Sequence, residues 1–493
     1  MKLAALMALC VGHGLWVTWG LTAPPDLDAL RDIGFAQGIL DGNWWGDPAY
    51  LGAIRYYPPL IPALMAGIAL VVGSRDLPHL WIVAGPWLGL LPVAMFFLMA
   101  RAMFAARVGL IATVVFALWN GALTAPWVSG GYSPWLLTPL LAQAGFCGAA
   151  LLIHARAGRG RWSDAVVIGA GIGVVFLAHV IPALLLTAML VVASAIGQGM
   201  RVRTMVWLAV AGAVQLAFML PYLLPILIVY PAGVVHLTPG AWVADELRFD
   251  AGALLSVALV NAPFLLAVLF LWRWRFWPEG LAGGMLLAWI GICALVLARH
   301  YTCAGSDADS CAVFRLPVHH FHSYLQIAAS CVIGLALVRW SPPRPVWGAL
   351  LAAGIAMLLF RPYDRAAHDA APAIDLVAYH WILANTSPDA VFDTAVPTDL
   401  ASPFDPGAFA VLAAGRKLVA LHTLFSNPYV PWAPRERLRA EISLWRAGLV
   451  ARNFCGAAQW AIVAADLPRS SRAASVATTP VHRIEKLAAS GCN

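Results

Sequence analysis

The spacing of its charges is what first limits how this chain can fold. Over the first 360 residues, apolar stretches alternate with short clusters marked by Arg, Pro and Trp. The stretches are about 15 to 25 residues long, which suits α-helices crossing a hydrocarbon core of roughly 30 Å. None shows the polar–apolar alternation of a barrel strand, and lipid offers exposed backbone groups no partner outside a helix or a closed barrel. Composition agrees: 61% of the 493 residues are hydrophobic and 11% charged, with mean hydropathy +0.78, whereas about a quarter of a soluble domain is charged. The sequence predicts a polytopic α-helical membrane protein.

Arginine placement orients it by the positive-inside rule. Arg101 with Arg107, Arg156 with Arg159 and Arg161, Arg201 with Arg203, Arg273 with Arg275, and Arg339 with Arg344 mark cytoplasmic turns. Asp26, Asp28, Asp32, Asp41, Asp47, Asp245, Glu246, Asp250, Asp307 and Asp309 occupy the opposite loops. Residues 1–21 resemble a signal peptide but lack a small-x-small site before Pro24, so they are read as an uncleaved first helix with a cytoplasmic amino terminus. Were residues 58–73 a full crossing, the Arg101/Arg107 turn would fall outside; that short, proline-led run is expected in the outer interface instead. About eleven transmembrane helices follow, near 3–22, 80–100, 108–125, 135–155, 164–178, 180–198, 205–228, 252–272, 280–298, 323–339 and 345–360. The odd number places the carboxyl-terminal part outside. The net charge of +7 comes mainly from the cytoplasmic turns; it reports topology and contact with anionic membrane lipids, and no nucleic acid is expected. Three lysines against many arginines, with abundant Ala, Leu and Gly, suggest GC-rich bacterial coding and hence a bacterial cytoplasmic (inner) membrane.

From Arg361 the sequence becomes that of a soluble domain. Helix-like 374–387, strand-like 390–394, helix-like 409–415, strand-like 417–421, an amphipathic 435–453 and strand-like 459–465 predict a small mixed α/β domain. The expected division is therefore a membrane domain at 1–360, with first outer loop 23–79, and an extracytoplasmic domain at 361–493. No metal spacing, phosphate loop or nucleophile elbow occurs in the latter, which favours binding or shielding. Cys303 with Cys311, and Cys455 with Cys492, fall in predicted outer segments and are candidate disulfides. Cys10, Cys147, Cys293 and Cys331 fall in apolar helices, as small buried hydrophobes do.

The first outer loop is where carboxylates leave a membrane helix. Asp26-Leu27-Asp28 follows the first apolar run, and Asp32 lies one helical turn beyond Asp28 on the same face. Such acids could hold a divalent cation, or supply a general base whose pKa is raised by like-charged neighbours. They could equally only cap a juxtamembrane helix.

This loop resembles the first outer loop of the GT-C superfamily of membrane glycosyltransferases, including protein O-mannosyltransferases and aminoarabinose transferases of lipid A. The matching elements are Asp26 and Asp28, Gly42-Asn43-Trp44-Trp45, Asp47, and Tyr56-Tyr57-Pro58-Pro59. The resemblance implies a GT-C-like fold and transfer of a sugar, a hexose or pentose, from a polyprenyl-phosphate donor to a lipid, glycan or protein acceptor. It places Asp28 at the catalytic acid, with Asp26 as its partner; Asp-Leu-Asp replaces the more usual adjacent pair, so either carboxylate could act. A metal at Asp26 and Asp28, magnesium or manganese, is the candidate cofactor.

The departing phosphate needs positive charge or a metal. Arg315, His319, His320 and His322 precede a membrane helix and could hold phosphate, or could only contact headgroups. His179 breaks the apolar run at its outer end and could face a substrate cavity or simply reach water. Arg55, beside Tyr56 and Tyr57, could bind donor, though snorkelling is the plainer reading. Of the 22 tryptophans most are read as interfacial belt residues, with Trp44 or Trp45 available to stack on a sugar. Asp47 and Tyr57 complete the substrate-binding candidates. The competing functions are a transporter or flippase, disfavoured because the predicted helix centres lack Asp, Glu, Lys and Arg, and a non-catalytic scaffold.

Overall fold

The computed structural model describes residues 2–119, 130–231, 233, 235, 251–303, 318–369, 373–394, 405–421, 427–449 and 458–487. The candidate disulfide cysteines Cys311, Cys455 and Cys492, and Arg315, lie outside them, as does the side chain of Cys303. The chain divides into two compact units interleaved in sequence. One comprises Met1–Trp19, Val83–Tyr222 and Val243–Asp369; the other comprises Gly20–Ile82, Leu223–Trp242 and Ala370–Asn493. The first outer loop thus belongs to the same compact unit as the carboxyl-terminal segment.

The first unit is helical. Among the described residues of the whole chain, seven helices are long and apolar enough to cross a membrane: Leu77–Phe104, Thr138–Arg159, Val180–Gln198, Val202–Val229, Gly280–Arg299, His320–Trp340 and Arg344–Asp369. The other four expected crossings fall on shorter apolar helices, Lys2–Thr18, Ala106–Leu118, Trp162–Ala178 and Asn261–Arg273. Lipid tails are as apolar as leucine, so packing between such helices depends on close contact. Gly169 provides it: a Cβ there would run into the carbonyl of Ala211.

Polar contacts fasten the first helix to the end of the last within this unit. His13 Nε2 lies 2.9 Å from Asp364 Oδ2, and the Trp135 indole donates to Asp364 Oδ1 at 2.8 Å. Buried Arg361 donates to the carbonyls of Tyr132 (2.6 Å) and Ala117 (3.0 Å), and His368 Nδ1 lies 2.8 Å from the Val17 carbonyl. A guanidinium buried here is tolerated because it meets open carbonyls.

The second unit carries a five-stranded sheet in the order β2-β1-β3-β5-β4. Its strands are β1 (Val391–Thr394), β2 (Lys417–Leu418), β3 (Trp460–Ala464), β4 (Ala473–Thr478) and β5 (His482–Leu487). β1 is parallel to β2 and β3, while β5 pairs antiparallel with β3 and β4. Val391 packs with Val419, Ile442 and Ala458 under the helix Trp432–Arg446, and Phe392, the next residue along β1, stacks on Trp460. The β4–β5 hairpin is not anticipated by the sequence reading. Its strand HRIEKL is mostly polar or charged, yet Arg483 and Glu485 are themselves buried, held to each other at 2.8 Å, with Glu485 also accepting from Arg446.

First-loop helices pack into this same unit. In Leu27–Leu40, Gly34 meets the Leu412 carbonyl so closely that no Cβ would fit. Past its end, Asp41 receives Arg416 Nη1 at 2.7 Å, while Arg416 also donates to Thr386 Oγ1 and to the Thr386 and Ala414 carbonyls. Residues 60–72 form the short apolar helix expected after the double proline; its Leu64, Leu70, Val71 and Val72 are exposed.

Candidate functional site

Asp26 ends the extended chain and caps the helix Leu27–Leu40, its side chain accepting the Asp28 amide at 2.8 Å. An aspartate at this position satisfies an amide with no partner inside the helix and complements the helix dipole. Asp28 occupies the first turn, and Asp32 follows one turn later. The sequence reading places only like charges around these acids. The structure corrects this, because Arg31 stands among them.

Arg31 is 4% exposed. Its Nη1 donates to Asp28 Oδ1 at 2.6 Å, while Nε and Nη2 both donate to Asp32 Oδ1, at 3.1 and 3.0 Å. The Tyr57 ring covers the guanidinium, with Cζ 3.5 Å from the ring centroid, close enough for a cation–π contact. Burial works against the charge, but Asp28, Tyr57 and Asp32 overcome it and hold Arg31 well above its ordinary pKa. The Asp28 side chain remains 33% exposed, against 1% for Asp32. Arg31 is missed by the sequence reading, although its spacing of three residues from Asp28 is a helical pairing interval.

Asp47 is buried under the tryptophan turn. Its Oδ1 accepts the Ala49 amide at 3.0 Å, and Asn427 Nδ2 approaches Oδ2 at 3.5 Å. Burial pushes its carboxyl up to about 7, opposed by those hydrogen bonds and by the charges of Arg55 and Arg31. Arg55 does not snorkel: it is 1% exposed, with its guanidinium 5.4 Å from the Phe35 ring, because the loop folds into the unit rather than along a lipid surface. Asn427 also donates to the Ile54 carbonyl at 2.9 Å, and the Ile54 amide donates to the Tyr230 hydroxyl at 2.9 Å. Asn427 and Tyr230 are nearly 200 residues apart in sequence, so no local pattern marks them as supports of the loop. Trp44 and Trp45 are both exposed.

In the helical unit, His179 is the single extended residue between the helices Trp162–Ala178 and Val180–Gln198. It meets His320 edge to face, with ring centroids 4.3 Å apart. These two candidates, 141 residues apart by number (320 minus 179), are therefore neighbours. His322 is half-buried in the helix Val318–Trp340, and the His319 side chain lies outside the described residues. Among the described residues, no group of three His, Cys, Asp or Glu side chains is arranged to hold a metal ion.

No family model matches the chain, and no curated protein matches it. Solved structures do. ArnT from Cupriavidus metallidurans, bound to undecaprenyl phosphate, superposes with a TM-score of 0.56 at 15% identity, covering 98% of each chain. The Archaeoglobus fulgidus oligosaccharyltransferase, tethered to an acceptor peptide containing the NVT sequon, gives 0.52 at 14% identity, covering 94% of this chain and 69% of its own. The same enzyme in complex with Zn and sulfate gives 0.51 at 13%, covering 93% and 68%. The likeness is one of fold, and it is the GT-C-like fold that the first outer loop implies.

Proposed function

We propose that this chain is a membrane glycosyltransferase that moves a sugar from a polyprenyl-phosphate donor to a lipid, glycan or protein acceptor, with inversion. The observation that carries the reading is Asp28. Of Asp26, Asp28 and Asp32 it alone is neither buried nor spent on a helix cap, and it stands on a fold shared with ArnT bound to undecaprenyl phosphate. Asp28 accepts the proton of the acceptor hydroxyl. The oxygen so freed bonds to the anomeric carbon, and the carbon–oxygen bond to phosphate breaks with its electron pair leaving on the phosphate. Asp26 positions Asp28 by capping its helix.

Other roles are assigned within each unit. In the helical unit, His179 and His320 are the candidates for the lipid phosphate, with Arg315, His319 and His322 from the same stretch of sequence. Trp44, exposed, offers a face for a sugar. Asp47 and Arg55, buried, and Tyr57, stacked on Arg31, support the loop from inside and reach a substrate only through the groups they hold. The positive charge that a divalent cation would bring to Asp28 is already supplied by Arg31, which donates to its Oδ1 at 2.6 Å. No step is therefore routed through a metal.

The orientation that fits is a multi-pass protein of the cytoplasmic membrane with a cytoplasmic amino terminus. Support comes from the helical unit, where the outer end of the first helix and the segment following the last long apolar helix are fastened together by His13–Asp364 and His368–Val17. An even number of crossings after the first helix, and so an odd total from the amino terminus, accounts for that. Residues 1–360 then carry the lipid substrate, and 361–493 form the extracytoplasmic part. Nothing in the structure favours transport.

The test is release of undecaprenyl phosphate by the protein in liposomes, given undecaprenyl-phosphate-linked sugars and an envelope lipid extract. Asp28→Asn is expected to abolish release while donor binding persists; full release by this variant overturns the assignment.

A further inference from the structure

The acids of the first loop already contain a cation. We propose that Arg31 is the positioning residue of Asp28 and its built-in counter-ion, taking at these acids the place a divalent metal would have. This rests on the reading of Asp28 as base and goes beyond it, because it names what holds that base and what neutralises its neighbours.

The geometry leaves Arg31 little freedom. Two of its nitrogens are fixed on Asp32, which is 1% exposed, a third is fixed on Asp28, and the Tyr57 ring closes the remaining face. A planar guanidinium held at an edge and a face cannot rotate without breaking several contacts together, which a flexible ammonium would not require. Asp28 Oδ1 is consequently turned inward. Its Oδ2 carries no hydrogen bond from the described residues, and the side chain as a whole is 33% exposed. Arg31 thus selects which oxygen meets the acceptor hydroxyl.

Charge gives the second half of the argument. Asp26, Asp28 and Asp32 lie within seven residues of one another, and without a cation their repulsion would favour protonating one of them. Arg31 offsets one charge permanently, since a guanidinium does not titrate in the working range. The other titratable groups around it are Tyr56 and Tyr57 from the loop and, at longer range, Asp47. The helices Leu60–Val72 and Pro406–Ala413, which pack on the same helix, contain no charged residue. Arg31 is therefore the one cation among the described groups acting on Asp28 whose removal should be felt directly.

The test measures undecaprenyl phosphate release against pH for the wild type, Arg31→Gln and Arg31→Lys in liposomes, with and without EDTA. Arg31→Gln is expected to lower kcat about 100-fold and to move the acid limb of the profile up by about one pH unit, with the donor KM unchanged. Arg31→Lys should restore part of the kcat and most of the limb, because charge returns without the fork. Wild-type release should survive EDTA. An unmoved acid limb in both variants, or wild-type release lost to EDTA and restored by magnesium or manganese, overturns the proposal. Should Arg31→Gln not fold, Tyr57→Leu, which uncovers the guanidinium, is read for the same shift alongside Arg31→Lys. Full release by Asp28→Asn would instead strike the base assignment; an inactive Asp28→Asn with unmoved limbs in the Arg31 variants strikes this proposal alone.

Discussion

Arg31 and His482 each stand between two carboxylates of the same unit, Asp28 and Asp32 for the first, Asp375 and Asp405 for the second. His482 Nδ1 lies 2.8 Å from Asp375 Oδ2 and Nε2 lies 2.9 Å from Asp405 Oδ1. The parts look alike, but their uses differ. Asp375 caps the helix Leu376–Asn385 and also receives the Thr479 hydroxyl at 2.6 Å, and Asp405 caps the helix Pro406–Ala413 through two amides. Every group in that array has a structural duty. In the first loop Asp32 and Asp26 are spent in the same way, and Asp28 keeps an oxygen without a hydrogen bond from the described residues. A carboxylate–cation–carboxylate pattern is a staple when all its acceptors are filled and a candidate for chemistry when one is left over.

The sharpest way to break this comparison is to remove one charged group from each array. Asp28→Asn is expected to lower turnover by about 10²- to 10⁴-fold, the range for a general base, with thermal unfolding little changed. His482→Gln should do the reverse. It is expected to cost about 3 kcal/mol of stability in denaturant or thermal unfolding, as when one partner leaves a buried pair, with turnover per folded molecule retained. Turnover loss without destabilisation in the His482 variant would erase the distinction.

pH should separate the two arrays as well. Burial opposes the charge on His482, but hydrogen bonds from its ring to Asp375 and Asp405 outweigh that and push the imidazole up to about 9. Asp375, despite burial, is drawn down to about 2 by His482, Thr479 and the Ala378 amide. A histidine whose folded pKa is raised contributes stability that is complete below its unfolded value of about 6.5 and fades as pH rises toward 9. The melting temperature should fall across that window in the wild type and fall less in His482→Gln.

Asp393 provides a smaller effect of opposite sign. It is fully buried on β1, and neither carboxylate oxygen has a hydrogen-bond partner among the described residues. Burial pushes it up to about 7 against the pull of Arg439 and Arg446; the Thr394 amide lowers it slightly without reaching hydrogen-bond geometry. A carboxyl raised on folding makes the protein less stable as pH climbs from about 4 to about 7. Asp393→Asn should flatten that decline and be the more stable form above about pH 7, because an amide has no charge to bury. Smallest of all is the exposed pair Lys417–Asp389, 2.6 Å apart with Asp389 85% exposed. Lys417→Gln should change stability by less than about 1 kcal/mol, showing that the position of an ion pair, not its length, sets its weight.

Much of the fold could be read along the chain because hydropathy is a local property, summed over about 20 residues. Each expected crossing coincides with an apolar helix, and a further short apolar helix, Leu60–Val72, follows Pro58-Pro59. The carboxyl-terminal elements from 376 to 464 were legible for the same reason, their periodicities being strong. The hairpin of β4 and β5 was not, because a strand that buries an arginine and a glutamate presents a surface pattern while lying inside.

The sequence by itself determined that this is a helical membrane protein whose acids emerge just past the first helix, since a run of apolar residues has few other stable states in lipid. Only the tertiary structure decided what those acids do. Asp26 became a cap, Asp32 an anchor and Asp28 the exposed carboxylate, because Arg31 turned inward under Tyr57. Asp41 found Arg416 375 residues away, and Asp47 found Asn427 380 residues away. A buried charge needs a partner wherever the chain can bring one, and that requirement is settled by packing, which no window of sequence contains.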